Sequence, residues 1–198
     1  MSNLDQKAAE ARAAIEQLVA KGNLDEANKQ GFNLAADLAE CWPGDEAPRE
    51  IHHLELGREM AERCLEWRHQ LKRGPRPFAI AHWVHGLHLL SLARRTGERA
   101  TLAAAVAAFE RSVTTAVAAA AASGGVDRVE PDGDYLVIIN SGFLGVAREL
   151  AVPGTGLPLL ERATDCFRAQ AERFPARAEE ANYGLANLRA ARERFLQN

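Results

Sequence analysis

Apolar residues recur every three or four positions along almost the whole chain, with glycine and proline standing between the stripes. That periodicity belongs to amphipathic helices and leaves little room for strands. Leu4, Ala8, Ala11, Ile15 and Leu18 form one stripe, ended by Gly22, and Ala27, Gly31, Leu34, Leu38 and Cys41 form the next, ended by "WPG". A third helix is expected from about 45 to 71, seamed by Leu54, Gly57, Ala61, Cys64 and Leu71. "RGPRP" stops it, because glycine accepts the C-terminal turn and proline cannot continue the hydrogen-bond ladder. Residues 77–95 are apolar around most of the circumference and predict a central fourth helix. Further helices are expected at 99–122, 134–150, 157–174 and 176–196, with Pro175 suiting the first turn of the last. "YLVII" (135–139) is the one β-branched run, and it leads directly into helical spacing. The expected fold is all-α: about eight helices in antiparallel hairpins, in a single domain over 1–198.

Charge and motifs narrow the function classes. A net charge of −3 lacks the basic footprint of a nucleic-acid binder. The N-terminus is polar and periodic, and the longest uncharged runs fall short of the roughly 20 strongly apolar residues of a membrane span. Cys41, Cys64 and Cys166 are far apart, odd in number and outside any CxxC, which fits a reduced, cytoplasmic setting. GxSxG, GxGxxG and P-loop patterns are absent, so neither catalytic residues nor a cofactor is expected.

The helices repeat. "LAAAVAAFERSV" (102–113) aligns with "LLERATDCFRAQA" (159–171) with one gap, placing Leu102 on Leu160, Ala105 on Ala163 and Phe109 on Phe167. Gly86 and Gly145 each precede a Thr-Gly pair by ten residues, and the period is about 58 residues. Ala163, Phe167, Gln170 and Pro175 resemble the second helix of a tetratricopeptide repeat (TPR), with Gln170 where that family has a small residue. Ala105, Phe109 and Ser112 fit the same pattern without the proline. "KGNLDEA" (21–27) resembles the family's inter-helix turn, and "NYGLANL" (182–188) its first helix. The physical basis is close packing: small residues let helices approach, and the aromatic fills the gap to the next hairpin. The resemblance covers about half of the chain. Departures are the longer turns of the two best units and a third helix too long for the roughly 34-residue repeat. The resemblance implies a right-handed array whose concave face binds a protein or peptide.

"HWVHGLHLL" (82–90) carries three histidines at i, i+3 steps. His82 and His88 lie about 120° apart around a helix, so all three imidazoles cannot reach one tetrahedral ion. Two could, with a carboxylate from a remote segment. Glu50…His53 and Glu66…His69 have the Glu-x-x-His spacing of di-iron bundles. On one helix they stand about 24 Å apart and cannot share a centre. Exposed helix charge with i, i+4 pairs such as Glu59 with Arg63 explains them better. Asp127, Glu130, Asp132 and Asp134 make the 123–134 loop acidic, but their spacing is not an EF-hand. Asp134 suits a helix N-cap, and the loop is expected to be mobile.

The TPR resemblance implies a non-enzymatic scaffold or adaptor that binds a protein or peptide, and charge and hydropathy predict no nucleic acid and no membrane insertion. His82, His85 and His88 on the fourth helix and Asn140 and Arg148 on the sixth are the expected lining of the concave face. The alternative is a helical-bundle enzyme or sensor holding a metal or small ligand on the histidine helix. A homo-oligomer, with a second copy in the groove, is the third candidate.

Overall fold

The computed structural model describes residues 3–40, 42–44 and 49–197. Those residues form eight α-helices and no strand. They are α1 (Asn3–Ala20), α2 (Leu24–Leu38), α3 (Ile51–Gln70), α4 (Pro75–Thr96), α5 (Arg99–Ala122), α6 (Tyr135–Ala151), α7 (Leu157–Arg173) and α8 (Ala178–Leu196). The chain is therefore all-α, as its periodicity predicts. Two starts differ. Glu50 is extended, so α3 begins at Ile51, and residues 45–48 of the expected start lie outside the described residues. Pro175 begins a 3-10 turn, Pro175–Arg177, before α8 proper.

Local chemistry sets the helix ends. The Asn23 side chain accepts from the Glu26 N–H at 3.4 Å, and Asp134 accepts from the Leu136 N–H at 2.8 Å, each as an N-cap. Gly97 closes α4 at φ 71°, a left-handed conformation that suits glycine, and its N–H reaches the Ala93 carbonyl. Glu149 reaches from α6 to accept the N–H groups of Gly154, Gly156 and Leu157 ahead of α7. Those bonds hold its carboxyl below the usual carboxylate range.

Each helix packs on the next, and α2 also meets α4, α4 meets α6 and α6 meets α8. The even-numbered helices thus make a row, flanked by the odd-numbered ones. α4 is enclosed from Ala79 to Ala93, with only Ile80 and His82 half-buried, and α6 is enclosed from Leu136 to Ala147. Two phenylalanines wedge the row. Phe109 lies against Gly86 of α4 and stacks on Phe143 of α6 at 5.9 Å. Phe167 meets Tyr135 of α6 at 5.3 Å and lies against Gly184 of α8. A Cβ at Gly86 or Gly184 would stand 2.8 or 2.6 Å from those rings, so both approaches need glycine. The two rings occupy corresponding gaps, but Gly145 does not correspond to Gly86. It faces the backbone of Gly156 and Leu160 instead.

α5 is long and apolar enough, by length and composition, to cross a membrane. Here its stripe of Ala105, Ala108, Phe109, Ser112, Ala116 and Ala120 is buried, and α5 packs against α4 and α6.

Glu40 and Trp42, between α2 and α3, reach the even-numbered row. Trp42 meets Trp83 edge-on at 5.6 Å and donates from Nε1 to the Ala36 carbonyl. Glu40, almost fully buried, accepts from Arg95 of α4 at 2.9 Å and from Arg194 of α8 at 2.8 Å. One carboxylate just after α2 therefore ties that end of the row to the neighbouring α4 and to α8 at the far end.

Candidate functional site

The histidine helix is interior, and this corrects the expected groove lining. His88 is fully buried: its Nε2–H donates to the Ala35 carbonyl at 2.8 Å, and its ring lies over Gly57 of α3. His85 is buried, with Nε2 3.2 Å from the Glu62 carboxylate. Only His82 is half-buried. Burial pushes the imidazoles of His82 and His88 down to about 4, and it lowers His85 against the opposing pull of Glu62. All three are neutral at physiological pH, and the Nδ1 of each is sealed without a protein partner. Asn140 is also fully buried, with both amide atoms unpartnered, so it cannot line an open face either. Arg148 is accessible but paired with Glu110 at 2.8 Å. The physical reason is enclosure. The expected groove face of α4 is covered by α2 and α3, with Ala35 and Gly57 against His88 and Glu62 against His85, which residue type alone does not announce.

Among the described residues, the His/Cys/Asp/Glu atoms that converge as a metal's ligands would are those of Asp5, His52 and His53, within 4.8 Å of one another. His52 and His53 each place Nε2 2.9 Å from Asp5 Oδ1. His53 is almost fully buried, and its Nδ1 accepts the Glu50 backbone N–H at 3.1 Å. That bond keeps the proton on Nε2, where it donates to Asp5. A metal at Nε2 would need the other tautomer and would set Nδ1–H against an N–H donor. The trio is a helix-capping network joining α1 to α3. The expected i, i+4 pairing of Glu59 with Arg63 is likewise replaced by links to α1: Glu59 pairs with Arg12, and Arg63 with Glu16.

The acidic loop is tied rather than open. Its Val129 carbonyl accepts from Arg162, its Gly133 carbonyl from Gln170, and Asp134 pairs with Arg76. Nucleophilic chemistry finds no activated thiol at Cys64, whose pKa burial pushes up to about 12. Cys41 lies outside the described residues.

An open cleft of about 310 Å³ lies between α7 and α8. It has Leu160, Leu185 and Leu188 as its floor and Arg168, Arg189 and Arg192 along its rim. Arg168 is paired with Asp165, whereas among the described residues Arg189 and Arg192 have neither an ion pair nor a hydrogen bond. Arg192 also lines a second cleft with Leu150, Leu157 and Phe195, so apolar surface extends on both sides of it. These residues were missed in the sequence. The available signal was that Arg189 and Arg192 share a helix face with Leu185 and Leu188 rather than opposing it. No family model, curated protein or solved structure matches the chain.

Proposed function

We propose that this chain is a TPR-like helical-repeat module that binds a protein or peptide partner and performs no chemistry of its own. The reading places the partner in the α7–α8 cleft instead of on the histidine helix. One observation carries it: Arg189 and Arg192, unpaired among the described residues, border a leucine floor, and Arg192 also borders a second cleft. That combination suits a short amphipathic segment with acidic residues beside leucine- or phenylalanine-sized anchors. The corresponding positions of Phe109 and Phe167 support the repeat character, since each wedges two successive even-numbered helices.

Peptide-display selection on the purified chain tests this. The expected winners carry Asp or Glu next to apolar residues at i, i+3 or i+4 spacing. They lose about tenfold or more in affinity to the R189E/R192E double variant and weaken with added salt. Winners indifferent to both changes would place the partner elsewhere.

A further inference from the structure

Among the described residues, Arg68 of α3 is the most deeply placed cation whose interactions include no acid. Its relative exposure is 5%. Nε donates to the Asn28 side chain at 3.2 Å, Nη1 donates to the Pro77 carbonyl, and the guanidinium lies 5.1 Å from the centre of the Phe32 ring. Every one of those partners is neutral. A guanidinium stays charged in a protein, and burying it without a counter-ion is costly. Burial and the nearby Arg73 accordingly depress its pKa.

The group is not sealed. It lines a cleft of about 350 Å³ between α2, α3 and the start of α4, whose apolar wall includes Phe32, Pro77 and Ile80. Nη2 has no protein partner, yet it is not among the enclosed unpartnered atoms, so it reaches the cleft space. Asn28 and Asn33 add neutral polar groups at the same cleft.

Charge counting sets what the cleft can accept. Lys29 and Arg73 also border the cleft, but Lys29 is 4.0 Å from Glu26 and Arg73 pairs with Asp25. Arg68 alone is left with one positive charge. The cleft volume falls at the small end of ligand sites.

We infer that the α2–α3–α4 cleft is a binding site for a small organic monocarboxylate, its carboxylate on Arg68 and its apolar stem against Phe32, Pro77 and Ile80. The free donor hydrogens on Nη1 and Nη2 face the carboxylate, forming charge-assisted bonds that supply the counter-ion the protein lacks. The site is on different helices from the α7–α8 cleft and stands independently of the partner proposed there.

Melting and calorimetric titration with hexanoate, hexanamide and inorganic phosphate at matched ionic strength test the site on the full chain. Hexanoate is expected to raise Tm saturably, while hexanamide, which has the stem without the charge, does not. Inorganic phosphate, which has charge without a stem, is expected to have little effect. Arg68→Met removes the counter-charge and should lower hexanoate affinity by about tenfold or more. Because Arg68 is buried, Asn33→Trp serves as a second variant: Asn33 is exposed at the cleft, and the indole should block entry without disturbing the core. A hexanoate effect that persists in both variants, or is absent from the native chain, overturns the site. Equal stabilisation by phosphate overturns the carboxylate assignment.

Discussion

The two halves of the molecule bury polarity in different ways. Among the described residues from 40 to 88 the buried polar side chains are all ionisable: Glu40, Arg49, His53, Arg68, His85 and His88. From residue 91 to 187 they are all neutral: Ser91, Ser112, Asn140, Ser141, Gln170 and Asn187. The second half is wedged by Phe109, Phe143 and Phe167, whereas the first is held by Trp67 and Trp83 together with hydrogen-bonded imidazoles and guanidinium groups. One fold is therefore expected to contain a region that responds to pH and a region that responds to packing volume.

The largest expected effect lies in the packing-governed half. Phe167→Ala removes a ring with no exposed surface and should cost about 3–5 kcal/mol by denaturant unfolding. A cost under about 1 kcal/mol would mean that the wedge is not what holds α6 to α8.

Acid tests the other half. An imidazole lowered from 6.5 to about 4 binds fewer protons folded than unfolded between those values. Its contribution is complete above pH 6.5 and is lost as pH falls towards 4. His88 alone accounts for about 3 kcal/mol of this loss, since each pKa unit is worth about 1.4 kcal/mol. Hydrogen exchange at stepped pH should show α2, α3 and α4 losing protection before α6, α7 and α8. Uniform loss would erase the distinction between the halves.

Gly57→Ala sharpens the same contrast, because its Cβ would stand 2.0 Å from the His88 ring. The expected cost is about 1–3 kcal/mol, together with a shifted acid transition as His88 moves. The smallest effect has the opposite sign. Asn140→Leu replaces a fully buried, unpartnered amide by a side chain of similar size and should stabilise by about 1 kcal/mol. Destabilisation would show that the amide has a partner of its own, such as a bound water.

The helices were legible in sequence because period and breakers are local properties: α5 ends where its alanine run meets "SGG", and α4 ends at Gly97. The central placement of 77–95 was legible for the same reason, since that segment is apolar nearly all round. Its histidines misled because i, i+3 spacing fixes angles about one helix and not what covers it. Trp42 lies 41 positions from Trp83, and Glu40 lies 154 from Arg194, so no local pattern announces either contact. His53 shows the same limit: it reads as surface charge in sequence, while Asp5 of α1 and the Glu50 N–H enclose it. Arg189 and Arg192 were the recoverable miss, since their place beside Leu185 and Leu188 is a matter of helical spacing alone.

Hydrogen exchange of the chain bound to a selected acidic amphipathic peptide tests the proposed function most directly. Slowed exchange is expected along α7 and α8, around Leu160, Leu185 and Leu188, with α4 unchanged. Slowing along α4 at 82–90 while α8 stays unchanged would return the site to the histidine helix and contradict the account.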